Sequence, residues 1–114
     1  MTVVVAYDNK NVSEHFGETK EFKIYEIENN KIISSKIEGN QGKSHKELVG
    51  LVNDFNANIL ICGRLGDGGR NLLDDLNIKY YPGVKGDADK AVMDLLNDCL
   101  DYDLAAKCNH ASHH

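Results

Sequence analysis

The chain has 114 residues, 41% hydrophobic and 27% charged, with a formal net charge of −5. That is one domain's length, enough to bury roughly 65% of the extended chain's surface around a real core. Lys and Arg are scattered rather than striped, which excludes the basic track that a nucleic-acid backbone requires; an absent apolar run of about 18 residues and an absent charged-then-apolar leader exclude a membrane span and export, and place the chain in the cytoplasm.

Residues 2–7 form an almost unbroken apolar, β-branched run, the pattern of a strand covered on both faces. Glu21–Ile27, with Phe22, Ile24, Tyr25 and Ile27, predicts a second strand. Asn29-Asn30 offers a turn tolerant of positive φ, and Lys31–Ile37 the returning strand of a hairpin. Gly39–Gly42 breaks the pattern. Ser44 and Glu47 have capping-box spacing, and Leu48, Leu51, Val52 and Phe55 then recur as one helical stripe. Ile59–Cys62 is a short buried strand, Gly63–Gly69 a glycine-rich loop, and Asn71–Leu76 a second helix. Ile78–Tyr81 is a fifth strand stopped by Pro82-Gly83. Asp87 can cap a third helix whose stripe is Ala88, Ala91, Val92, Leu95, Leu96 and Cys99.

The order β-β-β-α-β-α-β-α predicts a mixed five-stranded sheet with helices on both faces. With the first strand central beside the fourth, the strand order is 3-2-1-4-5, a ribonuclease-H-like α/β domain over residues 1–100. Residues 101–114 read as a flexible tail containing Cys108, His110, His113 and His114. Its thiolate and imidazoles are ligand types for Zn, Ni or Cu ions, although a tag remnant carries the same residues. Cys62, Cys99 and Cys108 are odd in number and widely spaced, which fits reduced thiols rather than a disulfide framework. Cys62 ends a buried strand and Cys99 lies on an apolar stripe, so packing is the simple role of each.

Three loops, Asp8–Gly17, Gly63–Gly69 and Pro82–Asp87, follow the parallel strands, at the sheet edge where ligands bind in open α/β folds. Gly66, Gly68 and Gly69 open the second helix, while Gly83 and Gly86 precede the third. Such ends present amides to an anion, though tight turns use the same glycines. Arg64 and Arg70 would assist an anion; Asp67 would oppose it unless it caps the helix. No Walker or complete G-x-G-x-x-G spacing is present, so nucleotide binding is disfavoured. Asp8 fits a turn with Asn9 and Asn11 better than a metal-binding carboxylate, since partner carboxylates are absent at matching strand ends. His15, within Ser13-Glu14-His15-Phe16-Gly17, is either a loop residue bonded to backbone or a soft ligand for a metal or anionic cofactor.

Four segments carry a resemblance: the Val3–Ala6 strand; Ser13–Gly17 followed by Phe22-Lys23-Ile24-Tyr25; Cys62–Gly68; and Tyr81-Pro82-Gly83 leading to Asp89–Val92. In this order they resemble the dinitrogenase iron–molybdenum cofactor biosynthesis family, which includes NifX-type carriers and NifB C-terminal domains. The resemblance implies a non-catalytic carrier of an anionic metal–sulfur cluster, of iron–molybdenum or related type, with protein partners in cluster assembly or transfer. It makes His15 the leading ligand, with Phe16 and Gly17 shaping its loop and Cys62, Gly63, Arg64, Gly66 and Gly68 lining the opposite wall. His45 matches more loosely, because Ser44 precedes it where relatives often have glycine. Arg64 stands where glycine is usual, and Gly69 where alanine is usual. Two other functions compete. One is a metal-ion binding protein acting through Cys108, His110 and His113; the other is a metal-dependent nuclease or phosphotransferase, which needs converging carboxylates.

Overall fold

The computed structural model describes residues 1–106, so Cys108, His110, His113 and His114 lie outside the described residues. β1 (Thr2–Asp8) runs fully buried from Val3 to Ala6. Asn9 and Lys10, at φ 46° and 76°, reverse the chain into β2 (Asn11–Val12), which pairs back antiparallel through Tyr7 with Val12. This hairpin lies within the expected Asp8–Gly17 loop; its two-residue strand carries no alternation from which a strand could be read. A single 3-10 turn (Phe16–Glu18) leads to β3 (Glu21–Glu28) and β4 (Lys31–Gly39). The turn between them is Asn29-Asn30, both with positive φ, as a tight hairpin demands.

α1 (Leu48–Asp54) starts later than its predicted cap. The Ser44 N–H donates to Glu47 Oε1 at 3.0 Å, but the Ser44 hydroxyl donates to that same oxygen at 3.1 Å. Only one half of the capping box therefore closes, and residues 45–47 form a turn outside the helix. β5 (Ile59–Ile61) is followed by α2 (Asp67–Asp75), which begins four residues before the expected Asn71. Gly66 is its N-cap, and Gly68 and Gly69 lie in its first turn. β6 (Lys79–Tyr81) precedes α3 (Ala88–Leu96), capped by Asp87 Oδ1 accepting the Lys90 N–H at 2.9 Å. Because α3 ends at Leu96, Cys99 is not on its buried stripe but exposed beyond it, a correction to the packing role read from the sequence.

The sheet has six strands in the order β4-β3-β1-β5-β6, with β2 added beside β1. β1 is antiparallel to β3 and parallel to β5, which is parallel to β6. Alternation along β1 sends Val4 and Ala6 to one face and Val3 and Val5 to the other. On the first face, α1 and α2 bring Leu48, Val52 and Leu73 against Phe22, Ile24 and Leu60. On the second, α3 packs Ala88, Ala91 and Val92 against Tyr25, Ile27 and Ile61. Burying each large side chain contributes roughly 1.5–3 kcal/mol, so both layers are needed to hold β1 central.

A polar latch fixes α3 to the sheet. The hydroxyl of buried Tyr25 donates to Asp89 Oδ1, and Lys23 Nζ donates to the same oxygen at 2.8 Å. Burial, then the Asp89 bond, holds the Tyr25 pKa well above the ordinary phenol range. The Lys23 and Tyr25 bonds hold Asp89 below the usual carboxylate range. The Asp89 contribution is therefore present above the unfolded carboxylate pKa, about 4, and is lost as pH falls below it. For Tyr25 the sign reverses: stability declines as pH rises past about 10, where only the unfolded chain can ionise the phenol. Denaturation followed from pH 3 to 11 is expected to show both limbs. Tyr25→Phe is expected to flatten the alkaline one, leaving a remainder from Tyr80, whose pKa burial also raises. Asp89 is largely exposed, so Asp89→Ala is expected to cost only about 1 kcal/mol.

A candidate ligand site at the carboxyl edge of the parallel strands

Beyond the ends of β1 and β5 the chains keep pairing. The Gly63 N–H donates to Ser13 O (3.1 Å), Arg64 N–H to Glu14 O (2.7 Å), and Phe16 N–H to Arg64 O (2.9 Å). His15 and Arg64 thereby form a parallel bridge. This crossing requires glycine at 63: a β-carbon there would lie 2.2 Å from Glu14 O and 2.5 Å from Ser13 O. The next loop is tied in the same way, Gly83 N–H to Gly63 O (2.9 Å) and Val84 N–H to Cys62 O (3.1 Å). Val12 N–H reaches Gly86 O and Ala88 N–H reaches Lys10 O, each at 2.8 Å. All three predicted loops thus meet at one edge.

They surround a cavity of about 830 Å³. Asn11, Val12 and Glu14 line it from the first loop, Gly63 and Arg64 from the second, Gly83–Gly86 from the third, and Asp101–Asp103 with Ala105 and Ala106 from the segment after α3. Arg64 and Lys85 bring positive charge to it, Glu14, Asp101 and Asp103 negative charge. The last six described residues therefore form a strap against the body. Asp103 N–H donates to Pro82 O (2.8 Å), Leu65 N–H to Ala106 O (3.1 Å), and the Tyr102 ring meets Tyr81 edge-on at 4.8 Å.

His15 is not itself among the residues lining the cavity, nor are Phe16, Gly17 and His45; its neighbours Glu14 in the chain and Arg64 across the bridge are. Its side chain is 37% exposed, with Nε2 3.9 Å from Glu14 Oε1. The Glu18 N–H fixes its carbonyl at 3.1 Å. Phe16 is buried against Phe22, ring centroids 6.2 Å apart, and anchors the loop from below. Gly17 makes room for exposed His45, whose Cβ would sit 3.1 Å from a β-carbon at 17. Cys62 is fully buried in the apolar layer under α1 and α2, so its side chain belongs to the core rather than the cavity wall. Gly66 and Gly68 lie along the start of α2, outside the cavity lining. The amides opening α3 are already engaged by Lys10 O and Asp87 Oδ1, whereas α2 has no side-chain cap.

Arg70 does not assist an anion. Its guanidinium donates from Nε to Leu65 O (2.9 Å), from Nη1 to Leu104 O and from Nη2 to Ala106 O (2.8 Å). The strap's role was invisible in the sequence, because its bonds are to backbone carbonyls, which leave no residue pattern. Tyr102 and Leu104, apolar residues past the third helix, were the available hint. Among the described residues no group of three or more His, Cys, Asp or Glu side chains gathers to hold a metal ion, and no helix there is long and apolar enough to cross a membrane.

A family model described as dinitrogenase iron-molybdenum cofactor matches residues 1–98, which include every loop of this edge. The chain belongs to that family. Membership of the dinitrogenase iron-molybdenum cofactor family associates it with processes involving that cofactor. The fold is similar to the crystal structure of PH0822, with TM-score 0.87 at 22% identity over 96% of this chain and 100% of that one. It is also similar to MJ0327 of Methanocaldococcus jannaschii, a protein proposed to be a dinitrogenase. The crystal structure gives TM-score 0.75 at 22% identity, covering 91% of this chain and 95% of that one. The NMR structure gives 0.73 at 23%, covering 91% and 93%. At these identities the likeness speaks for the fold alone. No curated protein matches the chain significantly.

Proposed function

We propose that this member of the family is a non-catalytic carrier for an anionic metal–sulfur cluster, built on a ribonuclease-H-like scaffold. One observation carries the reading: the Gly63 crossing pairs the backbone of His15 with that of Arg64, and Arg64 lines a cavity of about 830 Å³ whose lining His15 adjoins in the chain through Glu14. An imidazole is a ligand for iron, molybdenum or copper in a sulfide cluster, and a guanidinium complements the cluster's negative charge. Arg64 and Lys85 supply that charge, while Gly63 and Gly83–Gly86 let the main chain approach without side chains between. With Cys62 in the core, further donors come from outside the described residues. Ala106 is bonded at the cavity rim through Leu65, and Cys108, His110 and His113 follow it in sequence. The carrier would receive and pass its cargo to assembly proteins in the cytoplasm, without nucleic-acid or membrane partners. The nuclease or phosphotransferase reading lacks support: Glu14, Asp101 and Asp103 share the cavity lining, but no three ligand side chains among the described residues gather closely enough to hold a metal ion.

Anaerobic incubation with tetrathiomolybdate, alone and with Cu(I), then desalting, metal analysis and visible absorption, tests this. The expected result is a fixed cluster-to-chain ratio that survives loss of residues 107–114 in weakened form. Complete loss on that truncation, with His15→Ala neutral, would instead establish the tail as the metal site.

A further inference from the structure

We infer that Arg70 is a positioning residue for the cavity: it holds the Asp101–Ala106 strap as a wall, and so sets how long an anionic sulfide cargo is retained, without touching the cargo. The inference rests on the carrier reading. Three guanidinium nitrogens are spent on the carbonyls of Leu65, Leu104 and Ala106, two of them in the strap itself. The group also lies over the Tyr80 ring, 5.9 Å from its centroid. A planar fork with several fixed donors can join three acceptors in this way; an ammonium cannot reproduce the geometry. From the other side, Gly83 is shaped to receive the strap. At φ +72°, a β-carbon there would lie 2.8 Å from Asp103 Cβ, 2.9 Å from Asp103 O and 3.0 Å from Ala106 Cβ.

Two effects of the strap oppose each other. Asp101 and Asp103 bring carboxylates towards an anionic guest, added to that of Glu14 across the cavity, whereas Tyr102, Ala105 and Ala106 form one of its walls. The Asp103 carboxylate is engaged by the Ala105 N–H at 2.9 Å. Asp101 is exposed, where ions screen its field over roughly 8 Å. Excluding water, by contrast, strengthens the attraction of Arg64 and Lys85 at short range. The wall effect dominates, so loosening the strap weakens retention.

The test uses the full chain with tetrathiomolybdate as probe, measuring Kd by equilibrium dialysis and release by stopped-flow absorption. Arg70→Met is expected to raise Kd about 10-fold, mostly through faster release. Arg70→Lys, keeping the charge but losing the fork, is expected to fall between. Gly83→Ala, which displaces the strap from the opposite side, is expected to act like Arg70→Met. Amide hydrogen exchange at Leu65 and Asp103, whose N–H groups hold the strap, is expected to accelerate in both. Tighter binding by Arg70→Met would make the strap a plug and overturn the inference. So would unchanged release despite faster exchange, or unchanged exchange at those amides. If Arg70→Met does not fold, Arg70→Lys decides on the same readouts. A wild-type chain that takes up no probe overturns the carrier reading, and the inference with it; a wild type that binds no better than the variants overturns the inference alone.

Discussion

Gly63→Ala is expected to destabilise the protein by about 3 kcal/mol, the upper part of the range for forced overpacking. The reason is close approach rather than backbone freedom, because the clash is with main-chain oxygens of Ser13 and Glu14 at 2.5 and 2.2 Å. Those oxygens accept the Gly63 and Arg64 N–H groups, so they cannot retreat without breaking the bonds that join β1's loop to β5's. Relief would require the His15 segment to lift off, which would disturb the cavity lining at Glu14, Gly63 and Arg64 as well. Urea denaturation reads the effect. Gly68→Ala is the control: nothing lies within 4 Å of a β-carbon there, and it sits in the first turn of α2. It is expected to stabilise by up to about 1 kcal/mol. If Gly63→Ala changed stability by less than the control, the crossing would not be the rigid feature that the site account requires.

The second large effect concerns binding. His15→Ala is expected to weaken cluster retention at least about 10-fold, or roughly 1.4 kcal/mol. The fold is expected to survive, because the ring is partly exposed and outside both core layers, while Phe16 keeps the loop anchored. A ligand bond exchanged for water is worth at least that factor unless another donor takes its place. His45, across Gly17, is exposed and held by the turn before α1. Retention by a folded His15→Ala chain equal to wild type would remove the imidazole from the site.

The elements legible in the sequence were those written in side chains. Asn29-Asn30 declared its turn through tolerance of positive φ, Asp87 its cap, and the helical stripes their buried faces. What escaped was written in the backbone. β2 is two residues long, too short for a period. α2 starts within glycines, which propensity reads as loop, because Gly69 permits close packing on Leu65 and Val49. Ser44 failed as a helix cap because its hydroxyl turned to the Glu47 carboxylate. At the site, the meeting of the three loops followed from parallel topology. The strap and the use of Arg70 to hold it depend on carbonyl positions that no residue pattern encodes.

The most direct measurement is an NMR titration of the full, isotope-labelled chain with tetrathiomolybdate under anaerobic conditions, following backbone amides and histidine ring nitrogens together. The account predicts that the His15 ring signals and the amides of Gly63, Arg64, Lys85 and Gly86 move in concert with a single affinity. Shifts confined to residues 107–114, with the His15 ring and the Gly63 amide unmoved at saturation, would contradict it.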